Sequence, residues 1–286
     1  MQSFVQMLIN AINLGFIFAM LGIGLSLIFG VVEIVNFAHG ECMMLSMYIA
    51  YWLYTILKLD PVLSTPICAL VSFVFGVLIH KFLIKPILRA EMLTQIIATF
   101  GLALFMSSLA QFLWTPNFRS IPNTVLSLKV SFLGISVQAS QIIVIVFSVI
   151  ILFILFWIIN KTEFGRGILA VSEDKETASL MGINPDTAFI VTWGIGLACV
   201  GVTGALLSGV YYIYPLVGGS FGLLSFIAVA MGGFGSIPGA FLGAFLVGFI
   251  QVFAAYFLLP SLKLLVVFVF FIVVLLFKPQ GFWGRY

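Results

Sequence analysis

The sequence predicts an all-α, polytopic integral membrane protein with eight or nine membrane segments and interrupted helices. Three observations carry that reading. Of 286 residues, 63% are hydrophobic and only 7% charged, whereas a soluble domain has about 25% charged residues. Apolar runs close to the ~20 residues that a spanning helix needs recur along the whole chain. The runs do not alternate polar with apolar residues, as the strands of a membrane barrel would.

Taken in order, the spans fall near residues 5–30, 40–57, 62–80, 93–114, 139–159, 187–209, 219–233, 238–257 and 262–277. The whole chain, 1–286, reads as one transmembrane domain. No Lys or Arg precedes Lys58, so the first run lacks the basic flank of a cleaved signal and reads as a retained helix. The run 219–233 is short and is followed by "GGFGSIPG". It fits a half-helix or re-entrant segment, and this sets the count at eight or nine.

Basic residues orient the spans. Nine alternating spans put Lys81, Lys85, Arg89, Lys161, Arg166, Lys175, Lys278 and Arg285 on one side, and Lys58, Arg119, Lys129 and Lys263 on the other. The richer side is expected to be cytoplasmic, with the N-terminus outside and the C-terminus inside. The connection 31–41 runs against this rule, since it carries Glu33 and Glu41 and no basic residue.

Two connections are long. Residues 115–138, "TPNFRSIPNTVLSLKVSFLGISVQ", mix turn residues with β-branched alternation and read as an external flap or small hairpin. Residues 160–186 hold five of the nine acidic residues and are too polar to span. Within them "SEDKETASLMGI" reads as an amphipathic helix, with Ser172 as N-cap, acidic residues in the first turn, and Gly182 as the stop. Ala170, Ala178, Leu180 and Met181 form its apolar side.

Three stretches invite chemistry. "IVNFAHGECMM", 34–44, gathers Asn36, His39, Gly40 and Glu41 between apolar runs. Polar groups at membrane depth pair up or face water, and they mark transport paths or structural clusters. Two readings stay open: an interfacial connection that caps two helix ends, or a brace holding a broken helix beside a path. A catalytic His39–Glu41 pair lacks a further polar partner, and no metal motif is present, so no catalytic residue is assigned. "GGFGSIPG", 232–239, cannot remain helical, because Gly frees the backbone and Pro238 removes a donor. It fits either a tight turn or irregular backbone beside a path. Interrupted helices in corresponding halves point to a transport route. The third stretch, 165–182, is a soluble helix held between two spans and reads as a docking element for a partner. The chain has no phosphate-binding loop of the GxxxxGK[ST] type and few acids within spans to run an ion relay. A net charge of +3 gives no argument for nucleic acid. Cys42, Cys68 and Cys199 lie in or beside apolar runs without metal or disulfide spacing.

Taken together, "INAINLGFIFAMLGIGLSLIFGVVEIVNFAHGE", "GRGILAVSEDKETASLMGIN", "MGGFGSIPGAFLGAFLVG" and "KPQGFWGR" resemble, from end to end, the permease subunits of high-affinity branched-chain amino acid ABC importers of the LivH type. The resemblance implies a permease that moves a small polar nutrient, above all branched-chain or other amino acids, inward by ATP-driven alternating access across a bacterial inner membrane. Relatives that carry urea or short amides supply an alternative substrate class, and a stand-alone secondary transporter is the alternative of another class. It also implies partners: a second homologous permease subunit, two cytoplasmic ATPase subunits, an extracytoplasmic substrate-binding protein and membrane lipid. ATP and Mg would sit on the ATPase subunits, so the chain itself is expected to be no enzyme and to hold no cofactor. By match to the family motifs, Gly165, Arg166, Ala170, Glu173, Asp174, Ala178, Gly182, Ile183 and Asn184 form the ATPase-coupling segment. Asn36, His39, Gly40 and Glu41 form the first helix-break motif, and Gly232, Gly233, Gly235, Ser236, Pro238 and Gly239 the second. Leu169 and Leu224 stand where the family often has basic residues, which leaves the substrate open.

Overall fold

The computed structural model describes residues 2–122, 124–132 and 135–284. Arg285 and part of the 115–138 connection, Asn123 and Leu133–Gly134, lie outside the described residues.

The chain opens with α1, Gln2–Val32, whose 31 residues extend roughly 46 Å at 1.5 Å per residue. After Glu33–Ala38 comes α2, His39–Leu57. Asp60 then caps α3, Pro61–Ile79, accepting from the Val62 N–H. This helix loosens into a π-helical turn, His80–Ile84, and ends as the short α4, Lys85–Ile87. Next is α5, Met92–Trp114. The 115–138 connection forms a hairpin of β1, Lys129–Phe132, and β2, Ile135–Gln138, paired antiparallel with Lys129 opposite Gln138. The hairpin reading therefore holds. Then follow α6, Ala139–Lys161, the two short helices α7, Glu163–Glu173, and α8, Lys175–Leu180, and α9, Pro185–Ser208. The chain closes with α10, Val217–Gly232, α11, Ile237–Phe257, and α12, Lys263–Phe277.

Seven helices among the described residues are long and apolar enough to cross a membrane. The 16-residue α10 is a further, shorter apolar helix, so the count is roughly consistent with the eight or nine expected. The protein is a multi-pass, all-α membrane protein.

Burial separates the centre from the periphery. The spans of α1 and α9 are 83% and 78% buried, against 22% for α5, 22% for α6 and 6% for α12. α1 packs on α11 and α9, and α9 on α2 and α3. Small residues let these backbones approach, as expected where lipid offers no hydrophobic drive for helix association. A methyl group at Gly24 would lie 2.5 Å from the Gly196 carbonyl oxygen, and one at Gly76 2.6 Å from that of Trp193.

The connections fall on two faces. One carries the hairpin, the Asp60 turn, whose Oδ2 accepts from the Val125 N–H, and the 209–216 loop, where Ile213 and Arg119 exchange backbone hydrogen bonds. The other carries 80–91, 160–186 and the end of α12. There Lys85 and Asp186 form an ion pair at 2.6 Å.

Candidate functional site

The 34–44 stretch lies largely buried within the helix bundle. α1 ends at Val32, Glu33 adopts a left-handed conformation (φ 59°), and the next residues are non-helical, with a turn at Phe37–Ala38. They carry the chain back alongside α1. The His39 ring reaches the Leu21 carbonyl oxygen at 3.0 Å (Nε2). Leu21 lies eleven residues before the end of α1, roughly 16 Å along its axis. α2 therefore starts inside the protein, level with the middle third of α1. This overturns the reading of 34–44 as an interfacial connection and explains why no basic residue is found there.

Local chemistry shapes the return. Asn36 Oδ1 accepts from the Ala38 N–H at 3.1 Å, an Asx turn that replaces helical bonding. The His39 N–H donates to the Asn36 carbonyl. Thr99 on α5 donates its hydroxyl to the Val35 carbonyl at 3.0 Å, a contact across 64 residues that no local spacing announces. Phe37 stacks on Phe226 with ring centroids 5.5 Å apart. Asn36, His39 and Glu41 are all buried, and Asn36 Nδ2, His39 Nδ1 and Glu41 Oε2 have no hydrogen-bond partner among the described residues. Glu33 and Asn36 do not share a helical face, because the backbone between them is not helical.

The first turn of α2 abuts the first turn of α10. A methyl group at Gly40 would strike the Gly218 carbonyl oxygen and lie 2.8 Å from Gly222 Cα. The Glu41 carboxylate lies over Gly218 and Gly219. Sequence reading missed this partner, although the doubled glycine opening a short apolar run, "VGGSFG", was a usable signal.

The second break packs against the C-terminal end of α1. Gly235 (φ 77°) packs against Gly30, and Phe234 against Phe29 at 4.6 Å. Gly232 and Gly239 bring the end of α10 onto the start of α11, with no room for a Cβ at either. Ser236 caps α11 by accepting from the Gly239 N–H at 3.1 Å, and Pro238 sits in the first turn, where its missing donor costs nothing. Gly233 (φ 108°) lies against Gly284. There the N–H groups of Phe282 and Trp283 donate to the carbonyls of Met231 and Gly232, satisfying acceptors that a helix end leaves open.

The 160–186 segment is two helices, not one starting at Ser172. Ser172 lies inside α7 and donates to the Leu169 carbonyl. Thr162 caps α7 by accepting from the Gly165 N–H. Asp174 is extended (φ −155°) and caps α8, accepting from the N–H groups of Glu176 and Thr177 at 2.9 and 3.0 Å and from the Thr177 hydroxyl. Those donors, the hydroxyl first, hold its carboxyl below the usual range. Gly165 is pressed onto Ile158 and Ile159 at the end of α6. Ala178 is buried, Ala170 and Ile183 are half-buried, and Arg166 and Glu173 are exposed. Gly182 (φ 84°) ends α8: its N–H bonds the Ser179 carbonyl, and the Ile183 N–H bonds that of Ala178, the six-to-one pattern of a glycine-terminated helix. Asn184 caps α9 through Asp186 and Thr187. Leu180 and Met181, read with Ala170 and Ala178 as the apolar side, are 88% and 78% exposed at the tip.

Comparison with known proteins decides the kinship. A family model described as "Branched-chain amino acid transport system / permease component" matches residues 7–275. The chain belongs to this family. It is a permease component rather than an enzyme. Its relatives include the high-affinity branched-chain amino acid transport system permease protein BraD of Pseudomonas aeruginosa, 31% identical over 99% of this chain and 96% of that protein. The corresponding LivH of Escherichia coli K12 is 28% identical over the same shares. Among solved structures, PsaBC from Streptococcus pneumoniae in complex with Fab is similar in fold, with a TM-score of 0.50 and 15% identity, covering 96% of this chain and 92% of that one. The permease thus places its two helix breaks along one central helix, α1, and its short amphipathic helices at one face.

Proposed function

We propose that this chain is the transmembrane permease subunit of an ABC importer that moves branched-chain or other amino acids inward by ATP-driven alternating access. The observation that carries the proposal is the α7–α8 projection. It is stiffened by three side-chain caps, at Thr162, Asp174 and Asn184, yet presents two bare hydrophobic side chains, Leu180 and Met181, at its tip. Single exposed apolar residues are ordinary, but an adjacent pair on a rigid polar projection fits insertion into a partner's groove. In this reading that partner is a cytoplasmic ATPase, two copies of which bind ATP and Mg. A second homologous permease completes the pathway, and a binding protein delivers substrate at the hairpin face. The hairpin face is then extracytoplasmic, the C-terminus lies in the cytoplasm, and the membrane is a bacterial inner membrane. Gly165 to Asn184 transmit ATPase closure, and the two breaks along α1 are where the helices flex. An ion-driven mechanism is poorly served, because Glu41 is the one acidic residue buried within a span among the described residues.

The test is a Leu180→Asp/Met181→Asp double variant. Both side chains are exposed, so the chain is expected to insert normally while co-purification with the ATPase falls and ATP-dependent uptake drops at least tenfold. Full coupled uptake in this variant contradicts the assignment.

A further inference from the structure

The N-terminus of α10 is built to receive something. No side chain caps it. The Val217 N–H is satisfied by the Tyr214 carbonyl at 3.1 Å, but the N–H groups of Gly218 and Gly219 reach no acceptor among the described residues. Such groups carry the positive end of the helix dipole and favour an anion. Beside them lies the Glu41 carboxylate, 7% exposed, its Oε2 without a hydrogen-bond partner. The two features touch: Oε2 lies 2.6 Å from where a Gly218 Cβ would stand, and Oε1 3.7 Å from that of Gly219. The place opens outward through Gly219 and Ser220, which are exposed. Leu216 and Leu223, a turn to either side on the same face, are exposed at 58% and 47%. Uncapped backbone and a carboxylate do not face hydrocarbon, because each unsatisfied group there costs several kcal/mol. This face of α10 therefore turns toward water or a partner permease, which is where a pathway runs.

We propose that Glu41 and the free N–H groups of Gly218 and Gly219 form a subsite for a zwitterionic α-amino acid, a reading that rests on the importer function above. The substrate carboxylate lies on the helix N-terminus. Its ammonium group donates to Glu41, in a charge-assisted bond that is stronger than a neutral one. Leu216 and Leu223 receive an aliphatic side chain. At Gly218 the absence of a Cβ lets α10 close onto Gly40, and at the exposed Gly219 it leaves the approach to the helix N-terminus open to the ligand. A neutral solute such as urea, with no charge to match either half, gains little here.

The experiment uses the complete importer, reconstituted with ATPase subunits, partner permease and leucine-loaded binding protein. The probe is radiolabelled L-leucine. Glu41→Gln keeps the shape and removes the charge; Glu41→Asp keeps the charge. Gly219→Leu fills the opening, and because Glu41 at 3.7 Å is the nearest atom to a Gly219 Cβ, the site can take a side chain without strain in the fold. Glu41→Gln and Gly219→Leu are each expected to lower uptake at least tenfold at saturating binding protein, with Glu41→Asp retaining a third or more. Direct leucine binding to the importer without binding protein is expected to be lost in both deficient variants. Uptake within twofold of the parent in either Glu41→Gln or Gly219→Leu overturns the subsite. Equal loss in Glu41→Asp and Glu41→Gln overturns the role of the charge. If the parent complex itself shows no ATP-dependent leucine uptake, it is the importer reading that fails.

Discussion

Gly40 shows what a single residue contributes. It stands in the first turn of α2 with backbone atoms of Gly218 and Gly222 on its open side. Those atoms cannot rotate away as a side chain would, so a methyl group must separate two helices. Gly40→Ala is expected to cost about 1–3 kcal/mol, the range for overpacking a tight contact. This reads as a lower midpoint of thermal unfolding of the purified permease, with Gly219→Ala, where the space is open, as the unchanged comparison. At this scale the sequence was half legible. Asn36, His39 and Glu41 stood out because polar groups are rare in an apolar chain. Their depth and their neighbours did not, because the partners of residue 40 lie near residue 220, and no local spacing records that.

Among the elements, the α7–α8 projection illustrates the same limit differently. Its polarity and its glycine stop were legible, and Gly182 ends the helix as expected. The start was misread because Ser172, Glu173 and Asp174 all suit a helix N-terminus. The extended backbone at Asp174 is what selects it as the cap, with two N–H groups and one hydroxyl bound to a single carboxylate. Asp174→Ala is expected to speed amide hydrogen exchange at Glu176 and Thr177, while Asp174→Asn, still an acceptor, keeps most of the protection. The pH dependence has a defined sign. The folded carboxyl sits below its ordinary pKa, so its contribution is present above the unfolded pKa and is lost as pH falls through the folded value. Protection of the α8 amides that is insensitive to acid would contradict the cap. The helix boundaries elsewhere followed from apolar run length, which is why α3, α5, α11 and α12 lie within a few residues of expectation.

For the whole molecule, fold class and family were legible because the bilayer imposes long apolar runs and the motifs recur in order. Which helices are central was not. α12 is the most apolar of the late spans yet 6% buried, and α9, with four glycines among its first twenty residues, is 78% buried. Central position here follows from small residues that let backbones touch, rather than from hydrophobicity, since lipid rewards apolar surface as well as protein does. The central claim is that this architecture, two helix breaks along α1 and a docking projection at one face, is driven by ATP hydrolysed elsewhere. The most direct measurement is leucine uptake into proteoliposomes containing the permease pair, with and without the ATPase subunits and ATP, binding protein being supplied throughout. The account predicts uptake only when ATPase subunits and ATP are both present. Equal uptake driven by an ion gradient in their absence would contradict it.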